Sequence, residues 1–100
     1  MAQHISIERI DENGKLLQRS NIEFAGYINL LHSVKNYENK YPLLAYIDPY
    51  GDTYLNILQR PIFIEELKQF NNDNRRDNIQ ELLAFIKNTG IHEYIKFVGD

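Results

Sequence analysis

The sequence predicts an α+β fold in a single domain, residues 1–100, with a mostly antiparallel sheet of about four strands covered by about three helices in the order β-α-β-β-α-α-β. Alternating segments rich in β-branched and aromatic residues open and close the chain. Between them lie stretches whose apolar residues recur at helical spacing. Turn residues punctuate both, above all Asn13-Gly14 and Asp48-Pro49-Tyr50-Gly51-Asp52.

Residues 4–11 set Ile5 and Ile7 on one side of a strand and Ser6 and Glu8 on the other. Asn13-Gly14 favours positive φ, so residues 16–19 fold back as a short second arm. Ser20-Asn21-Ile22-Glu23 matches a capping box and predicts a helix from Ser20 through Ile22, Tyr27, Leu30, Leu31 and Val34 to Lys35, with Asn36 as its end. Tyr41-Pro42 imposes extended geometry, and the apolar run 43–47 reads as a buried central strand. The turn at 48–52 then returns the chain as the second strand of a hairpin, residues 53–58; a competing reading lets Asp52 cap a helix there. Arg60-Pro61 begins a helix over 62–70, with Ile62, Leu67 and Phe70 facing the core and Glu65, Glu66 and Gln69 facing outward. A further helix runs through Ile79, Leu82, Leu83 and Ile86 to Gly90, and residues 91–98 form the last strand.

A chain of 100 residues buries roughly two-thirds of its extended surface and folds without staples. The absence of cysteine removes disulfides, thiolate metal sites and a thiol nucleophile, and fits a reducing, cytoplasmic setting. The first residues lack the pattern of a secretory signal, and no apolar run is long enough to cross a bilayer. A net charge of −3 disfavours nucleic acid and suits a basic partner.

Chemistry-bearing residues are dispersed. His4, His32 and His92 are too far apart for a local metal pair, and Asp48, Asp52 and Asp100 do not follow the ligand spacing of a calcium loop, so no cofactor or metal is expected. No hydroxyl sits in a nucleophile elbow, and the glycines build no phosphate loop. Arg75-Arg76, flanked by Asp73 and Asp77, reads as a solvated helix start. A site assembled from distant residues such as His92, Asp48 and Asp52 is the enzymatic alternative, and a homodimer joined through a strand edge is the structural one.

Tyr37, Tyr41, Tyr46, Tyr50 and Tyr54 crowd one stretch that also carries acidic residues. Tyrosine offers wide amphipathic area with few rotamers to freeze, and carboxylates beside it steer a cationic partner. Asp48, Tyr50, Asp52, Glu65 and Glu66 are therefore the expected partner-binding residues. The plainer alternative is that Tyr46 and Tyr54 are strand residues half-buried against helices, Tyr50 decorates a turn, and Asp48 and Asp52 cap it.

The segment Tyr41-Pro42-Leu43-Leu44-Ala45-Tyr46-Ile47-Asp48-Pro49-Tyr50-Gly51-Asp52-Thr53, with Leu58-Gln59, Ile64-Glu65-Glu66-Leu67 and the ending Tyr94-Ile95-Lys96-Phe97-Val98-Gly99-Asp100, resembles small uncharacterised bacterial proteins that carry an Ile-Asp-Pro-Tyr-Gly-Asp-Thr core. In size, composition and lack of catalytic motifs the chain is also similar to the immunity proteins encoded beside polymorphic bacterial toxins. That resemblance implies a cytoplasmic, non-enzymatic antitoxin that neutralises a basic toxin domain by occlusion. It carries no fold with it, because such proteins differ in fold from one another.

Overall fold

The structure, a computed structural model, describes residues 3–100. Strand β1, Ile5–Asp11, leads into a tight turn in which Asp11 Oδ1 accepts from the Asn13 and Lys15 amides at 2.9 and 2.8 Å. Gly14 takes a φ of 86° there, which costs glycine little, and the chain returns as β2, Leu16–Arg19. Beyond Arg19 it stays beside β1. Ser20 and Phe24 donate their amides to the carbonyls of Ile7 and Ile5, both at 2.9 Å, and these bonds hold residues 20–24 out of a helix. The expected capping box does not form: Ser20 Oγ accepts from Ile22, and Glu23 accepts from the amides of Ile5 and Ala25. Helix α1 is consequently short, Ala25–Leu31, and Asn36 adopts a left-handed conformation before α2, Tyr37–Lys40.

The largest departure from expectation is residues 43–47, which are not a strand. Helix α3 spans Pro42–Tyr46, with Pro42 in its first turn. Proline has no amide to lose there and its φ suits a helix, while Tyr41 before it lies outside the helical region with φ −134° and ψ 66°. A five-residue apolar run is compatible with strand or helix, and a remote residue decides it here. The Glu66 carboxylate accepts from the Leu43 and Leu44 amides at 2.9 and 3.0 Å, which caps α3 from outside.

Without a strand at 43–47 the anticipated hairpin has no first arm. The loop at 48–52 instead delivers β3, Asp52–Leu55, to the last strand, β4, Glu93–Gly99. Between them run α4, Gln59–Asp73, and α5, Ile79–Lys87. Asn56 and Gln59 form a reciprocal cap at the start of α4: Asn56 Oδ1 accepts from the Gln59 amide and Gln59 Oε1 from the Asn56 amide, each at 3.0 Å. The four strands lie in the order β2-β1-β4-β3, every neighbouring pair antiparallel. The class is the α+β one expected, with its fourth strand supplied by residues 16–19.

Register divides the sheet cleanly. Ile5, Ile7, Leu55, Ile95 and Phe97 face the helices and are fully buried. Phe97 packs among Phe24 and Phe63 with ring centroids 4.9 and 5.4 Å away, and Phe24 stacks on Tyr27 at 5.0 Å. Leu67 and Phe70 of α4 and Leu82, Leu83 and Ile86 of α5 complete the core, whereas Ile62, expected inside, is exposed. The opposite face carries a cross-strand row, Arg19, Glu8, Lys96 and Tyr54, and among the described residues Asp52, Tyr54 and Tyr94 on it are open to solvent.

The Asp48-to-Thr53 loop is bolted to the end of β4. Gly99 donates to Gly51 O at 2.8 Å and Asp100 to Pro49 O at 3.2 Å, while Asp48 donates its amide to Thr53 Oγ1 at 2.8 Å. A Cβ on Gly99 would lie 2.6 Å from the Pro49 carbonyl carbon. Backbone cannot retreat as a side-chain tip can, so Gly99→Ala is expected to destabilise by about 1–3 kcal/mol in urea denaturation, while Gly14→Asn, at an open turn, costs less.

Candidate functional site

The expected partner-binding set is divided by the fold. Asp48 and Tyr50 sit in the loop before β3, and Asp52 lies on the uncovered face of that strand with its carboxylate 3.7 Å from Lys96 Nζ. Asp48 also orders its own loop, since its Oδ1 accepts from the Tyr50 amide at 2.9 Å. Glu65 is exposed on α4, in the helical layer, and pairs with Lys68 at 3.5 Å.

Glu66 does not belong to a surface. It is buried, and both carboxylate oxygens are engaged by the start of α3. A helical pattern that leaves two adjacent glutamates outward gave no sign that α3 would need an external cap. Arg60 is buried in the same manner. Its guanidinium donates to the carbonyls of Glu93, Thr89 and Gly90 at 2.7, 3.3 and 2.8 Å, tying the start of α4 to the chain between α5 and β4. Glu93 accepts in turn from the Gly90 amide at 2.8 Å.

Exposed apolar side chains recur along the chain on both sides of the edge strand β3. Tyr46, Tyr50, Leu58 and Ile62 are 60%, 63%, 78% and 57% exposed, and Tyr54 and Ile57 are also open to solvent. These six fall within residues 46–62, from the end of α3 through the loop and β3 into α4. Tyr41, by contrast, is buried and its hydroxyl donates to Asp73, so it leaves the proposed tyrosine surface. Residues 46–62 contain a single cation, Arg60, which points inward, so the exposed ionised groups of the stretch are Asp48 and Asp52. Nearby, Ile57, Pro61, Ile64 and Ile86 line an apolar depression of about 230 Å³. A second shallow groove of about 200 Å³ lies on the uncovered sheet face between Ile10, Tyr54 and Tyr94.

The assembled alternative of His92, Asp48 and Asp52 is not brought together. His92 precedes β4 and faces Glu12 at 3.8 Å, whereas Asp52 pairs with Val98 at the other end of that strand. Six residues of strand separate the two by roughly 20 Å. Among the described residues no three His, Asp or Glu side chains lie close enough to hold a metal ion. No described helix is long and apolar enough to cross a membrane.

No family model, no curated protein and no solved structure matches this chain.

Two carboxylates that accept from backbone amides, buried Glu66 and exposed Glu23, respond to acid in opposite senses. Burial raises the Glu66 pKa above its ordinary 4.5, against the lowering effect of the Leu44 and Leu43 amides. Its protonation is therefore favoured by folding, and that contribution is present below 4.5 and lost as pH rises through the folded value. At Glu23 burial also pushes upward, but the hydrogen bonds from Ile5, His4 and Ala25 outweigh it and the net shift is down. Its contribution is present above 4.5 and lost as pH falls through the folded value. On acidification from neutral pH, the stability of the wild type relative to Glu66→Gln is expected to increase and that relative to Glu23→Gln to decrease, as measured by denaturation at a series of pH values.

Proposed function

We propose that this protein is a protein-binding domain of the immunity type, which docks its β3 side on a basic toxin domain and blocks the toxin's active site or substrate channel. The supporting observation is the concentration of exposed apolar and tyrosine side chains at residues 46–62, where the carboxylates of Asp48 and Asp52 are solvent-facing and the single cation is buried. Large exposed apolar groups are costly to leave in water, and a contiguous group of them bordered by like charge is a usual property of interaction surfaces. Tyr46, Tyr50, Leu58 and Ile62 supply contact area; Asp48 guides a cationic partner, and Asp52 and Glu65 meet it by exchanging their pairing with Lys96 and Lys68. Glu66 is removed from the binding set because its carboxylate is occupied within the fold. On this reading the protein performs no chemistry of its own and acts in the cytoplasm, where the toxin would otherwise reach its target.

The test is co-expression with the toxin domain encoded beside it, scored by growth and by the kinetics of the purified pair. Leu58→Asp and Ile62→Asp alter exposed positions, so each is expected to change stability by no more than about 0.5 kcal/mol. The double variant is expected to weaken the complex by about 2 kcal/mol or more, roughly thirtyfold in Kd, mainly through faster dissociation. Asp52→Lys with Glu65→Lys is expected to slow association and reduce its salt dependence. Full protection by folded variants of both kinds would overturn the docking surface.

A further inference from the structure

The acidic chain has one concentrated basic feature, and the fold places it at a concavity. The turn of residues 74–78 joins α4 to α5, and beside it lie two adjoining clefts of about 340 and 380 Å³, both lined by Arg75, Arg76 and Asp77. Asn71, Asn72 and Gln80 contribute amide side chains to the larger one. We propose that this cleft binds the phosphate group of a small soluble ligand, with Arg75 and Arg76 as its charged contacts.

Arg76 is held in place before any ligand arrives. Its backbone amide donates to Asn71 Oδ1 at 2.8 Å, and its guanidinium lies over the Tyr27 ring, 5.0 Å from the centroid. Gly26 makes room for it, since a Cβ there would fall 2.5 Å from Arg76 Nη2. Tyr27 is itself fixed, donating its hydroxyl to Asn78 Oδ1. Ring stacking positions a guanidinium while leaving in-plane N–H donors for an anion.

Neither arginine has a carboxylate at ion-pair distance among the described residues, although Asp73 and Asp77 flank them in sequence. Asp73 instead accepts from the Tyr41 hydroxyl at 3.1 Å. Two arginines that line one cleft, with Asp77 also in its lining but beyond ion-pair distance, leave a local excess of positive charge, and an oxyanion with several acceptor oxygens neutralises it while accepting bidentate bonds. Phosphate matches the pair better than a single carboxylate because it offers enough oxygens for both forks. The neighbouring start of α5 adds to the field: Asn78 spends its side chain on Tyr27, and no side chain caps the helix. The amides of Asn71, Asn72 and Gln80 are suited to hydroxyl groups, which favours a sugar phosphate over phosphate alone.

The experiment is a titration of the full chain with inorganic phosphate, followed by amide chemical shifts, against sodium chloride at matched ionic strength. Saturable shifts confined to residues 71–80 with phosphate are expected. Arg75→Gln, at an exposed position that leaves the Tyr27 stack intact, is expected to weaken binding roughly tenfold or more. Asp77→Asn removes the opposing carboxylate and is expected to tighten it. A sugar phosphate is expected to bind more tightly than inorganic phosphate. Equal shifts with chloride, or undiminished affinity in Arg75→Gln, would overturn the site, and a phosphoserine peptide that outcompetes the sugar phosphate would overturn the small-molecule assignment. None of these outcomes bears on toxin binding at the β3 side.

Discussion

The antiparallel pairing of β1 with β4 is the constraint on which the rest of the molecule depends. It sets Ile7 opposite Phe97 and Ile5 opposite Gly99 in the two central strands. Because side chains alternate with a period of two, a slip of one residue would carry Phe97 and Ile95 to solvent and bring Lys96 into the core. The observed register gives Phe24 and Phe63 a fully buried aromatic partner and leaves the other face to Glu8, Lys96 and Tyr54. It also positions Gly99 where the Asp48-to-Thr53 loop can cross it, so the β3 edge is placed by the same pairing that forms the core.

Helices are joined to this frame by charged side chains that have left the surface. Arg60 and Glu66 each satisfy backbone groups at the ends of other elements, where intrahelical bonding runs out. Such joints are asymmetric in energy. Each is modest when complete, but removing one strands several buried backbone donors or acceptors at once. This is why a buried glutamate can cap α3 while its neighbour, Glu65, is a plain solvated residue paired with Lys68. It also explains the charge of residues 46–62, whose surface is acidic because its one arginine serves the interior.

The molecule therefore presents two surfaces of opposite character. On the β3 side exposed tyrosine, leucine and isoleucine side chains meet aspartates, a combination suited to a large cationic partner. At the α4–α5 turn a polar cleft holds two arginines, neither with a carboxylate at ion-pair distance among the described residues, a combination suited to a small anion. Glycine serves both: Gly99 lets a loop approach β4, and Gly26 lets Arg76 lie on Tyr27.

The sequence by itself determined the class of fold, the Asn13-Gly14 reversal, both long helices and the two central strands. In each case the signal was local, either strict alternation, helical periodicity or a turn that demands positive φ. The Asn56–Gln59 cap is local in the same sense, set by the spacing of its two residues. What only the tertiary structure decided were the elements whose backbone groups are satisfied from far along the chain. Residues 42–46 become a helix because Glu66 supplies the missing acceptors, and residues 20–24 stay out of a helix because the carbonyls of Ile7 and Ile5 claim the Ser20 and Phe24 amides. The binding set was legible only in part for the same reason: sequence placed Asp48, Tyr50, Asp52 and Glu65 among surface types, but the side on which each emerges, and the inward turn of Glu66, follow from packing between elements that no local window contains.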